Sequence, residues 1–280
     1  MKLAVLHKTI YRYDEPPRAV LQSQRLQPSV FDGQQVLDWS VTTESGVRGA
    51  EFRDGAGDET CTVRVEGPVD SVTVEVRGTV QTTDLAGVLR GHREKVPPMA
   101  YLRSTRATRV DVALEELARD SVAEFAESAE LDRAHALSAA VAEAIAYTPD
   151  ATDAHTTAAE ALAGGAGVCQ DHAHALIAMA RIVEMPARYV TGYLFAGDAD
   201  ALHAEAVRVG AQASHAWVEI HVDGLGWVGF DAANSCCPDD RYIRLCSGFD
   251  AFDGAPIRGL ALGRGGEELE VAVAVEAIQQ

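Results

Sequence analysis

Nothing in this sequence is apolar for long enough to cross a bilayer. A spanning helix needs roughly 20 consecutive apolar residues, and no stretch approaches that length. At the N-terminus, MKLAVLHKTIYRY, the apolar run covers only Leu3 to Leu6. That is too short for the apolar segment of a secretion signal, so a cytoplasmic location is expected. Positive charge is scarce: 24 Lys and Arg stand against 42 Asp and Glu, a formal net charge of −18. Such a surface repels phosphate backbones and anionic lipid, which argues against nucleic-acid and membrane partners. Its plain reading is a solvated, soluble exterior, with a modest preference for neutral or basic substrates as a further one. Cysteine is sparse as well, with five: Cys61, Cys169, Cys236, Cys237 and Cys246. An odd number scattered through a chain of this size does not make a disulfide framework. Free thiols in a reducing compartment fit better, and a catalytic thiol survives there.

What is present has an ordinary globular balance, 47% hydrophobic and 24% charged. The length suits one large domain or two modest ones. Residues 1–85 lean toward strands: Leu3 to Tyr13, Val36 to Thr42, Thr60 to Val65 and Val69 to Val80 are β-branched and partly alternating. Turn signals at Glu15-Pro-Pro17, Asp54-Gly-Ala-Gly57 and Gly67-Pro68 separate them, which suggests a small β-sandwich. Periodicity is lost over residues 86–110, a connector. Residues 111–280 then open with Ala-rich segments, Asp111 to Ala126 and Asp132 to Ala146, whose apolar positions recur three and four apart as in amphipathic helices. A short helix over His155 to Ala163 ends at Gly164-Gly165, and another runs from Val168 to Glu184, stopped by Pro186. Strand-like runs follow at Arg188 to Leu194, Ser214 to Val222 and Trp227 to Phe230. Helices followed by strands, without alternation, predict an α+β domain.

The chemistry starts at Gly164-Gly-Ala-Gly-Val-Cys-Gln-Asp-His-Ala-His174. A glycine-rich loop delivers Cys169 onto the first turn of a helix, where unpaired N–H groups and about half a positive charge favour a thiolate. The same N–H groups, that of Cys169 included, suit the oxyanion of a tetrahedral intermediate. Asp171 opposes the thiolate unless it points away as a cap. Taken alone, this segment more often describes a buried cysteine acting as a small hydrophobe.

The second segment changes the balance. In Ser214-His-Ala-Trp-Val-Glu-Ile-His-Val222, His215, Trp217, Glu219 and His221 share one face of a strand. The next strand, Trp227-Val-Gly-Phe-Asp231, ends in a carboxylate. A hairpin closed by the three residues Asp223-Gly224-Leu225 sets Trp217 opposite Asp231 and His215 on its diagonal. A loop one residue shorter or longer separates them onto opposite faces. Roles then follow: Cys169 attacks a carbonyl, His215 moves the proton, and Asp231 orients the imidazole.

Gly167-Val-Cys-Gln-Asp171, Ser214 to Glu219 and Gly226-Trp-Val-Gly-Phe-Asp231 together resemble the three core motifs of bacterial transglutaminase-like proteins. Met185 to Tyr193 resembles the strand after the family's catalytic helix, and Asp239-Asp-Arg-Tyr-Ile243 its closing segment. Tyr11-Arg-Tyr13 and Gln24-Arg-Leu26 resemble the β-rich domain that often precedes the core. The resemblance implies a papain-like, transglutaminase-like fold behind a β-sandwich-like domain, with Cys169, His215 and Asp231 as triad. Two departures stand out. Asp231-Ala-Ala-Asn234 replaces the family's Asp-Pro-Thr-Asn, and His172 stands where the family carries an aromatic residue.

Such a centre forms a thioester from an amide or ester carbonyl and passes the acyl group on. Hydrolysis of a peptide or isopeptide bond in a peptide or protein substrate is the favoured expectation, because no separate acceptor-binding region is visible. Amine transfer, as in a transglutaminase, and a catalytically silent binding module are the alternatives. Zinc would need paired ligands at short spacing, which adjacent Cys236 and Cys237 do not supply. Asp198 and Asp200 lack the full ligand pattern of a calcium site. No metal or cofactor is expected. Gln170 has two readings, lining the oxyanion site or lying on the helix surface, and Trp217 and Trp227 read as core or pocket-wall aromatics.

Overall fold

The computed structural model describes residues 1–125, 129–197 and 214–278. Asp198, Asp200 and Ala126 lie outside them. The described strands are β1 (Lys2–Tyr13), β2 (Ala19–Gln24), β3 (Gln34–Thr43), β4 (Gly46–Arg53), β5 (Glu59–Glu66), β6 (Ser71–Thr82), β7 (Ala146–Tyr147), β8 (Ala166–Gly167), β9 (Ala187–Leu194), β10 (Ser214–Val222), β11 (Gly226–Phe230), β12 (Tyr242–Gly248), β13 (Ile257–Ala261) and β14 (Glu267–Ala277). The helices are α1 (Val112–Val122), α2 (Glu130–Ala144), α3 (Ala158–Gly164) and α4 (Cys169–Ile182). The expected α+β character holds.

Two four-stranded sheets, ordered β14-β1-β6-β3 and β13-β2-β5-β4, form the β-rich part. Val20, Val65 and Val72 close a small core between them. Alternation explains the layering: in β1, Leu3, Val5, His7 and Thr9 turn inward while Leu6 and Lys8 face solvent. A third antiparallel sheet, β11-β10-β9-β12, belongs to the core. It is not insulated from the first. Leu3, Val5, Val74, Val76 and Val80 share one cluster with Tyr193, Ile243 and Leu245. Each such aliphatic side chain contributes about 1.5–3 kcal/mol on burial.

The division at residues 1–85, 86–110 and 111–280 needs correcting at its end. By sheet pairing, β13 joins β2 and β14 joins β1 along its full length, Leu3 opposite Ala277 through Tyr13 opposite Glu267. The last strands therefore complete the β-rich layers instead of extending the core. The physical reason is edge pairing, since β1 and β2 each have a second side to satisfy.

Asp111 caps α1, its Oδ1 accepting from Leu114 N at 2.9 Å. α4 is apolar nearly all round, buried from Asp171 through Ala180, because it lies between the other helices and the third sheet. It packs on Ala216, Val218, Ile220 and Val222, so the opposite face of β10 is left to carry His215, Trp217 and Glu219.

Candidate active site

The loop before the cysteine is built by local rules. Thr157 and Glu160 form a capping box at the start of α3: Thr157 N donates to Glu160 Oε2 at 2.9 Å, and Glu160 N donates to Thr157 Oγ1 at 3.3 Å. Gly165 ends α3 with φ 62°, a conformation only glycine adopts without strain. Ala166 and Gly167 then pair in parallel with Ala146 and Tyr147, which fixes the approach to α4. Cys169 is the first residue of that helix and half-buried.

Asp171 is held by bonds to residues that precede it in the chain. Its Oδ2 accepts from Val168 N at 2.8 Å and from Thr152 Oγ1 at 2.6 Å, so it caps the helix start. His172 is likewise structural: Nδ1 faces Val168 O at 2.9 Å and Nε2 faces Ile145 O at 2.8 Å. His174 accepts from Ala251 N through Nε2 at 3.0 Å, and burial pushes it down to about 4, so it stays neutral. Gln170 reaches the Ala154 carbonyl at 3.5 Å.

β10 and β11 pair with Val218 opposite Phe230 and Val222 opposite Gly226, leaving the three-residue loop Asp223-Gly224-Leu225. That is the odd parity the sequence requires. One step further sets Trp217 against Asp231, and His215 reaches the carboxylate: Nε2 to Oδ2 is 2.6 Å. Both side chains are buried. Nδ1 is then the ring nitrogen left for Cys169. Burial pulls His215 down, but the neighbouring sulfur charge, hydrogen bonds to Asp231 and Cys169, and the carboxylate charge outweigh it, and the imidazole is pushed up to about 10. Asp231 is held below the usual carboxylate range by its bonds to His215, Asn234 and Tyr242, against the raising effect of burial.

Three donors converge on one oxygen of Asp231. Besides His215, Asn234 Nδ2 donates to Oδ2 at 2.7 Å and Tyr242 Oη at 2.8 Å, while Asn234 N donates to Oδ1 at 3.2 Å. Asn234 was legible as a retained polar residue after the acid. Tyr242 was not, because nothing in Asp239 to Ile243 announces that a strand 11 residues on returns beside Asp231. Trp217 lies nearly parallel to the His215 ring, centroids 6.4 Å apart. Its own ring passes over Gly192, where an added Cβ would stand 2.6 Å from Trp217 and 2.0 Å from the Ile243 carbonyl oxygen. Trp227 instead sits under the Arg188 guanidinium, 4.1 Å from its centroid. Among the described residues, no three His, Cys, Asp or Glu gather as a metal site.

A cysteine opening a helix, a histidine and a carboxylate joined across a hairpin, on an antiparallel sheet behind a β-rich layer, define a transglutaminase-like arrangement. Residues 117–232 match the transglutaminase-like superfamily, and residues 3–81 match the bacterial transglutaminase-like N-terminal region. The chain thus carries a transglutaminase-like core and a bacterial transglutaminase-like N-terminal region. It is similar to an uncharacterised protein of Mycobacterium leprae, 29% identical over 283 residues and 98% of each chain. An uncharacterised protein of Mycobacterium tuberculosis is 34% identical over 118 residues, 41% of this chain and 37% of the other. A solved structure from Cytophaga hutchinsonii, named as a proposed cysteine protease, superposes with a TM-score of 0.72 at 21% identity, covering all of this chain and 92% of that one. That likeness is one of fold.

Proposed function

We propose that this protein is a cysteine-dependent acyl-transfer enzyme acting on peptide or isopeptide amide bonds, with Cys169 as nucleophile, His215 as proton carrier and Asp231 as orienting acid. One observation supports the reading: buried His215 is bonded through Nε2 to Asp231 at 2.6 Å, which leaves Nδ1 for the thiol of Cys169. The Cys169 sulfur attacks the carbonyl carbon, and the imidazolium gives its proton to the departing amine as the C–N bond breaks. A thioester remains. Water, losing a proton to His215, then releases the acid and restores the thiol. Hydrolysis is favoured over transfer to an amine for want of a visible acceptor-binding region.

The test is incubation with a peptide library, with and without a primary amine, read by mass spectrometry. Water-added products that vanish in Cys169→Ala support the hydrolase; amine-added products redirect it to transfer. Products that persist in Cys169→Ala refute the assignment.

A further inference from the structure

Beside the triad lies a groove of about 570 Å³ that the catalytic groups do not occupy. One wall is α2, with His135, Ser138, Ala142 and Glu143; the other is formed by Ser235 and Cys237. Both walls lead to the reacting groups. Ser235 follows Asn234, whose amide lies 3.3 Å from His215 Nε2 and 2.7 Å from Asp231. On the other side, four residues carry the chain from Glu143 to Tyr147, which pairs with the Gly167 end of the loop that delivers Cys169. The Tyr147 phenol, raised first by burial, also feels the charges of Cys169 and Asp231.

The dimensions fit a chain segment. From His135 to Ala142 is seven residues of helix, about 10 Å at 1.5 Å per residue. An extended peptide advances about 3.3 Å per residue, so roughly three residues fill that length. Alanine and serine line the groove together with Phe230, Cys236 and Cys237, and the two serine hydroxyls suit a peptide backbone. Glu143, on the α2 turn from which the chain runs on to Tyr147, is exposed and, among the described residues, unpaired.

We infer that this groove binds the substrate peptide and that Glu143 selects an ammonium-bearing side chain within about three residues of the attacked carbonyl. This rests on the reading of Cys169 as nucleophile and adds the substrate class: cationic peptides. The acidic surface works in the same direction, raising the local concentration of such peptides.

The experiment uses pairs of fluorescently labelled acetyl-hexapeptides that differ only by lysine or norleucine, scanned through each position. Binding to Cys169→Ala is read by anisotropy, and turnover by the unmodified protein. Lysine is expected to win about fivefold at one position, as for an exposed ion pair in a cleft. The preference falls to near unity when Glu143→Gln is added, and high salt erodes it. Ala142→Trp, which fills the groove, weakens both peptides. Equal binding of lysine and norleucine, a preference that survives Glu143→Gln, unimpaired binding to Ala142→Trp, or no binding at all overturns the groove assignment. Turnover that survives Cys169→Ala instead overturns the nucleophile, so the two failures are distinct.

Discussion

At the scale of single residues, the centre is a set of hydrogen-bond donors competing for one carboxylate. Cys169 and His215 stand out in the sequence because each sits at a position with chemical meaning, a helix start and a strand face. Tyr242 was unreadable because its role depends on β12 pairing with β9, a contact between distant segments. Replacing Asp231 by Asn, which leaves the shape but spoils the tautomer, is expected to cost about 10³–10⁴-fold in kcat. Tyr242→Phe removes one charge-assisted bond to Asp231. It should lower kcat about tenfold with KM within about twofold. The less-satisfied carboxylate then grips the imidazolium proton more firmly, so the alkaline limb of the pH–rate profile moves up. An unchanged profile makes Tyr242 mere packing. Thiol reactivity gives a second check. Burial raises Cys61, Cys236 and Cys237 and pushes Cys246 up to about 12. Iodoacetamide below pH 8 should therefore modify Cys169 ahead of the other four, as peptide mapping will show.

At the scale of elements, most helices and the hairpin were legible from periodicity, caps and loop parity, with ends displaced by a few residues: the helix expected over Asp132 to Ala146 is Glu130–Ala144. β4 was not legible, because it lies almost wholly exposed and reads as a mixed polar run. Nor was β14, which pairs with β1 from the far end of the chain. Glycines offer a test of which close approaches matter. Gly192 is crossed by Trp217 and by the Ile243 carbonyl, so Gly192→Ala must move both the aromatic beside His215 and β12. Urea unfolding should show a loss of about 1–3 kcal/mol together with reduced activity. Gly164, at the end of α3, has nothing within 4 Å of an added Cβ. Gly164→Ala should be neutral or gain up to about 1 kcal/mol through helix propensity. Equal effects of the two substitutions would count against the packing argument.

At the scale of the whole molecule, buried charge ties the β-rich layers to the sheet that carries His215. Glu219, on the same strand as His215, is gripped by Arg244 Nε at 2.8 Å and Arg188 Nε at 2.7 Å. Arg244 extends to Ser29 at 2.6 Å and Asp58 at 3.1 Å, and Arg188 pairs with Glu94 of the connector. Asp58→Ala leaves Arg244 paired with Glu219 but removes its second carboxylate and the acceptor of the buried Ser247 N, 2.7 Å away, and should cost about 1–3 kcal/mol in urea unfolding. The network and the triad also set the response to pH, from opposite ends. Burial would raise Glu219, but Arg244 and Arg188 hold it down from 4.5 to about 2. A depressed carboxylate contributes stability that is complete above 4.5 and is lost as pH falls through about 2. His215 is the reverse case, raised from 6.5 to about 10, so its contribution is complete below 6.5 and is lost as pH rises through about 10. His7 and His174, which burial holds down to about 4, take stability away as pH falls below 6.5, so the thermal midpoint should be highest near 6.5 and decline on both sides. His215→Gln should flatten the alkaline decline and leave the acid one, whereas Glu219→Gln should flatten only the part of the acid decline below about 4.5 while lowering the whole curve. An alkaline limb that His215→Gln leaves untouched would mean that the imidazole is not held as a cation between Cys169 and Asp231, and the proton-carrying role assigned to it would fail with it.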